Sequence, residues 1–265
     1  MSAYKDQFNR VEMETGLPSE SYLQDLFLSK LTWIFLALHW LDNAIGQSEI
    51  LADVIPINML SYGGFVSVCL FGNRASTKDI DVLFPSNVRD SRVYRDELTR
   101  LAQGVAGELR YVQDWINDDL RLFVPIEQRQ RLLEDSIEQG TVVFEGDNLV
   151  IWAGLWEFGL ESKLHRLHTN PGRSTSAQAK LRNDLSDAVD LVHCIRGNSV
   201  HPLDKSWVKG LRRFGPNPSF EREIDRVAQA YITKYGTQGV VELVWDEARG
   251  KYMYQNLAGE WVLHE

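Results

Sequence analysis

Between Tyr62 and Phe84 the chain reads YGGFVSVCLFGNRASTKDIDVLF, and the two aspartates near its end constrain what can be built around them. Asp79 and Asp81 are two residues apart, so on a strand they share one face. The flanking Ile80, Val82, Leu83 and Phe84 predict an otherwise buried strand over 79–84, ending at Pro85. Two carboxylates side by side in such a setting repel one another unless cations compensate them. A divalent metal is the natural compensator. Beside the Gly-rich turn at Gly63-Gly64, such a metal points to phosphate chemistry.

The rest of the composition narrows the setting. A chain of 265 residues suffices for one large domain or two small ones with a real core. Its net charge of -9 argues against broad non-specific binding to nucleic acid while leaving room for a local basic groove. Cys69 and Cys194 are its two cysteines and form no CxxC pattern, so neither a disulfide framework nor a zinc site is expected. The opening MSAYKDQFNRVEMETG carries no apolar signal region, and the apolar run Leu31–Leu41 contains His39 and is too short to span a bilayer. A cytoplasmic protein without membrane association is the expectation.

Hydrophobic spacing predicts one or two helices over 19–46, through Leu23, Leu26, Phe27, Leu31, Ile34, Leu38 and Leu41. Residues 65–71 suit either a helix or a strand. A polar-faced helix is expected over 91–108, then a turn or short helix and strand-like Leu122–Val124. A hairpin over 141–144 and 149–153 turns at Gly146-Asp147-Asn148. Helices follow over about 156–168 and 177–196, separated by a Pro/Gly/Ser/Thr loop. Residues 201–250 read as helical, ahead of an aromatic tail, KYMYQNLAGEWVLHE. This order predicts an N-terminal helical segment (1–50), an α/β core (51–155) and a helical C-terminal subdomain (156–265), an α+β protein as a whole.

The glycine pair, the spacer and Arg74-Ala75-Ser76-Thr77-Lys78-Asp79-Ile80-Asp81 resemble the signature of the nucleotidyltransferase fold. The closer resemblance is to the minimal nucleotidyltransferases grouped with AbiEii-type toxins of bacterial toxin–antitoxin systems. Three later segments agree in order: Gln113-Asp114-Trp115-Ile116-Asn117-Asp118, Glu161-Ser162-Lys163-Leu164, and Arg182-Asn183-Asp184-Leu185-Ser186-Asp187. The likeness covers roughly residues 57–195.

That resemblance implies a small mixed sheet flanked by helices and transfer of a nucleoside monophosphate from a nucleoside triphosphate to an acceptor. Asp79 and Asp81 would hold Mg²⁺ or Mn²⁺. Gly63 and Gly64 would admit the triphosphate to the backbone, with Arg74, Ser76 and Thr77 adding donors. Lys163 would face the β/γ-phosphates, and Asp184 would serve as general base or further metal ligand. Asp187 competes with Asp184 for that role, since the two share a helical face, and either could instead pair with Lys163 or Arg182. Arg74 could equally pair with an aspartate.

Two features depart from the pattern: a second glycine where many such enzymes have serine, and no obvious third carboxylate on a neighbouring strand. They keep open a catalytically inactive relative that binds a nucleotide or a protein partner, and a γ-phosphate transferase is a weaker third reading. The acceptor is open among tRNA, a protein and a small molecule. His165, His168, His193 and His201 read as surface or helix-end residues, and the tryptophans as packing.

Overall fold

A five-stranded mixed sheet carries both the glycine turn and the aspartate pair. The computed structural model describes residues 30–74, 76–170, 172, 174–211 and 220–264, with side chains from residue 33 onward; the helix expected over 19–29 lies outside them. Strand β1 (Ile57–Ser61) runs antiparallel to β2 (Ile80–Leu83) and parallel to β5 (Leu149–Ala153). On the outer side of β2 lies the short β3 (Ile116–Asn117), parallel to it with Asp81 opposite Asn117. At the other edge β4 (Val142–Glu145) closes the expected hairpin with β5. The order is β3-β2-β1-β5-β4.

Helices cover both faces of this sheet, which is why β1 and β2 are nearly continuous apolar runs. On one face, α1 (Lys30–Gly46) and α4 (Arg92–Leu109) bury Leu38, Leu41, Leu98 and Ala102 with Met59, Ile80 and Val82. Trp115 is 1% exposed in this core and satisfies its indole by donating to the Ala102 carbonyl at 3.0 Å. On the other face, α5 (Arg129–Gln139) packs Leu132 and Leu133 against Leu60 and Leu83. Between β1 and β2 the chain turns at Gly63, whose φ of +74° favours glycine. It then forms α2 (Gly64–Val66), continued by a π-helical turn over Ser67–Phe71. Helix, not strand, is therefore the outcome for 65–71. A four-residue helix, α3 (Ser86–Arg89), links β2 to α4.

The hairpin turn is held from outside. Asp42 on α1 accepts backbone N–H bonds from Asn148 and Leu149, both at 2.8 Å, and from Asp147 at 3.3 Å. It is 6% exposed, so Asp42→Ala leaves buried N–H groups unmet. A loss of about 2–3 kcal/mol is expected in denaturant unfolding.

From Trp156 a second core begins. Helices α6 (Trp156–Thr169) and α7 (Thr175–Arg196) pack along each other through Leu160, Leu164, Ala188 and Val192. The short α8 (Lys205–Lys209) and the longer α9 (Glu221–Tyr235) complete it through Val208, Ile224, Val227 and Tyr231. Capping fits the sequence: Ser174 Oγ accepts the Ala177 N–H at 3.1 Å.

Three expectations are corrected. The C-terminal region is not purely helical. Strands β8 (Val244–Asp246), β9 (Lys251–Gln255) and β10 (Trp261–Leu263) form an antiparallel sheet, and β6 (Leu203–Asp204) pairs with β7 (Val240–Val241). Leu122–Val124 is not a strand either, because Leu122 ends a 3₁₀ turn and Leu122 and Phe123 face solvent. The tryptophans divide as well, with Trp207, Trp245 and Trp261 exposed rather than packed. No helix among the described residues is long and apolar enough to cross a membrane.

Candidate functional site

Gly63, Gly64, Arg74, Thr77, Asp79 and Asp81 come together where β1 turns into α2 and where the following loop enters β2. A methyl group on Gly63 would stand 3.9 Å from Asp81 Oδ2, and one on Gly64 would collide with Thr77 Oγ1 at 2.4 Å and lie 3.8 Å from an Arg74 guanidinium nitrogen. The second glycine is thus required by close packing of the loop against the turn. Thr77 fixes the loop by donating to the Asp79 carbonyl at 3.0 Å, while Ser61 donates to the Asp81 carbonyl at 2.8 Å. Ser76 lies partly buried in the same loop.

Asp79 is exposed and Asp81 half-buried. Burial raises the Asp81 carboxyl above its ordinary value, and the neighbouring Asp79 and Asp119 charges raise it further. The Asn117 side chain, as a hydrogen-bond partner, and the Arg166 charge oppose them. This is a carboxylate short of positive charge.

Hard oxygen donors of this kind suit Mg²⁺ or Mn²⁺. Among the described residues no group of three or more His, Cys, Asp and Glu converges to hold a metal. A cation at Asp79 and Asp81 would therefore complete its shell with phosphate and water oxygens, the usual arrangement for Mg²⁺.

Behind the turn lies a charge network on α7. Asp184, Asp187 and Asp190 are 2%, 0% and 3% exposed. Lys163 on α6 bridges Asp184 at 3.0 Å and Asp187 at 2.7 Å, and Arg166, one turn on, reaches the other oxygen of Asp184 at 3.2 Å. Asp187 also accepts from Ser67 Oγ at 2.9 Å and Asn73 at 3.1 Å, and pairs with Arg74. Asn73 extends the network to Asp190 at 2.7 Å, which Tyr235 and Lys234 also engage. The glycine loop is thereby tied to the second core.

Of the residues singled out in the sequence, the fold joins Lys163 to Asp184 and Arg74 to Asp187, and it brings Gly63 beside Asp81. It links Asp184 to Asp81 only through Arg166. Arg166, Ser67, Asn73, Asn117 and Asp119 were not assigned roles from the sequence. Arg166 had a usable signal, since it lies at i+3 from Lys163. Both thiols are pushed up by burial, Cys69 to about 12 and Cys194 to about 11, so neither is a ready nucleophile. His168 pairs with Glu223 at 3.4 Å.

Two cavities stand out. One of about 750 Å³ beside α9 is lined by His168, Phe220 and Glu223, away from the aspartate pair. Another of about 420 Å³ opens between α4 and the β2–β3 edge, with Asn117 and Asp118 in its wall. No protein-family profile, characterised protein or solved structure matches the chain.

Proposed function

We propose that this protein is a metal-dependent nucleotidyltransferase, moving a nucleoside monophosphate from a nucleoside triphosphate to an acceptor hydroxyl. The observation carrying this reading is the under-compensated Asp81 beside Asp79, packed against the Gly63 turn with a cationic network directly behind it. The nucleotidyltransferase-like character of the sheet rests on the same juxtaposition and on the order of the motifs along the chain.

A divalent cation held by Asp79 and Asp81 would neutralise phosphate charge and orient the α-phosphorus. The chain's own groups do the rest. Gly63 and Gly64 present backbone to the phosphates without a side chain in the way. Arg74 Nε is buried and makes no hydrogen bond among the described residues. Lys163 commits two of its three N–H donors to Asp184 and Asp187. The remaining donors suit the β- and γ-phosphates and the departing pyrophosphate.

Asp184 has a cation on each oxygen, which suits positioning Lys163 and Arg166 better than taking a proton. The acceptor hydroxyl instead passes its proton to the Asp79/Asp81 carboxylate pair. Its oxygen bonds to the α-phosphorus, the bond to the β-phosphate's bridging oxygen breaks, and pyrophosphate leaves toward Lys163. Positioning and electrostatics supply the rate, as in phosphoryl transfer generally.

Among the described residues no third carboxylate converges on the pair, and the second reading is an inactive protein that binds nucleotide without turnover. Incubation with α-labelled nucleoside triphosphates, Mg²⁺ and cell extract separates the two. Label on an acceptor with matching pyrophosphate is expected. Tight nucleotide binding with no pyrophosphate would establish the second.

A further inference from the structure

On the face of the sheet away from Asp81, between α4 and the β2–β3 edge, the cavity of about 420 Å³ borders a carboxylate oxygen without a partner. Strand pairing fixes the faces. Asn117 stands opposite Asp81 in the parallel β2–β3 ladder, so those two share one face, and Ile116 lies on the other with its own partner Ile80. Asp118 follows at i+2 from Ile116, and both line the cavity. Its volume lies within the roughly 300–1,000 Å³ of small-molecule pockets. Partly buried Phe84 and Ile116 give it an apolar surface.

The Asp118 side chain is 8% exposed. Its Oδ1 accepts the Phe84 N–H at 3.2 Å. Its Oδ2 is buried and makes no hydrogen bond among the described residues. The Arg121 guanidinium, from another residue of the cavity wall, stops 3.8 Å from that oxygen, which places Oδ2 on the cavity side. Burial raises the Asp118 carboxyl above its ordinary value, and the Phe84 N–H and the Arg121, Arg129 and Arg89 charges oppose that rise without offsetting it. A buried carboxylate oxygen without a donor is costly unless a ligand or water supplies one. Asp96 and Asp114 also stand in the wall against Arg95 and Arg121, three carboxylates to two guanidiniums, which disfavours an anion.

We propose that this cavity binds a small organic amine, its ammonium group donating to Asp118 Oδ2 and its apolar body lying against Phe84 and Ile116. An ammonium brings three donors and a charge to that oxygen, where a hydroxyl brings one donor and none. The site lies across the sheet from the Asp79/Asp81 pair, so the proposal stands or falls independently of nucleotidyl transfer.

The test uses the full chain without metal or nucleotide, probed with phenethylamine, phenethyl alcohol and phenylacetate by saturation-transfer NMR and titration. The three share a ring and differ at the polar end. Phenethylamine is expected to bind at millimolar concentration and the alcohol roughly tenfold more weakly, the difference between a charge-assisted and a neutral hydrogen bond. Phenylacetate is expected not to bind. Asp118→Asn keeps an oxygen for the Phe84 N–H and removes the charge, so the amine should fall to the level of the alcohol. Thr99→Trp, at the exposed mouth, should abolish binding of both, and it carries the test with the probe series if Asp118→Asn does not fold. Amine and alcohol binding alike to the wild type, a preference for phenylacetate, no binding of any probe (a cavity holding water only), or amine binding indifferent to either variant would overturn the proposal.

Discussion

Asp81→Asn is expected to lower Mg²⁺-dependent pyrophosphate release by roughly a thousandfold or more, about 4 kcal/mol of lost charge stabilisation. The same variant should not destabilise the metal-free protein at neutral pH. Burial and the Asp79 and Asp119 charges raise the Asp81 carboxyl, so the folded state holds its proton more tightly than the unfolded chain does. Stability from this group is therefore full below the unfolded carboxylate range and is lost as pH rises through the raised folded value. At pH 7 the wild type carries that penalty and the asparagine variant does not. Adding Mg²⁺ should raise the wild-type melting temperature at pH 7.5, should do progressively less as pH falls through the raised Asp81 value, and should leave the variant unmoved. A drop in the variant's metal-free melting temperature at pH 7.5 would show Asp81 to be a structural carboxylate.

Asp187→Ala is expected to be the most destabilising single change in the charge network. Its carboxylate is 0% exposed and gathers Ser67, Asn73, Lys163 and Arg74 from three separate segments. Removing it strands buried Lys163 and part-buried Arg74 with too few acceptors, a loss of about 3–5 kcal/mol. Arg166→Ala removes a half-exposed partner of Asp184 and should cost under about 1 kcal/mol. Equilibrium urea unfolding of the two variants tests this ordering. Equal small losses would mean that the α7 aspartates do not anchor the glycine loop.

The strongest local signals in the sequence correspond to what folds. Two short apolar runs flanking a Gly-Asp-Asn turn marked the β4–β5 hairpin, and Ile80 to Leu83 marked β2, because composition and turn chemistry are properties of neighbouring residues. The β8–β10 sheet was missed. Its Tyr252-Met253-Tyr254 alternation and the Gly250 and Gly259 turns are strand signals, but β8 and β10 are three residues each and acquire their conformation by pairing with β9. Leu122 and Phe123 failed in the opposite sense, as apolar residues that never enter a core.

Within the candidate site, Asp79, Asp81 and the glycines were legible because their spacing is local. The partners of the α7 aspartates were not. Asp187 meets Ser67 from 120 residues away and Asn73 from 114, and nothing in either segment encodes that meeting. Asn117 stands in the Gln113–Asp118 segment and Asp119 directly after it, with nothing local to tie either to Asp81. Their proximity to Asp81 arises only from the parallel pairing of β3 with β2.

The central claim is that the Asp79/Asp81 pair works in moving a nucleoside monophosphate. Parallel reactions with α-labelled and γ-labelled nucleoside triphosphate, Mg²⁺ and cell extract test it most directly, run with the wild type and with Asp81→Asn. The account predicts an acceptor labelled from the α position only, one pyrophosphate released per label, and neither product with the variant. Label arriving from the γ position, or equal transfer by the variant, would contradict it.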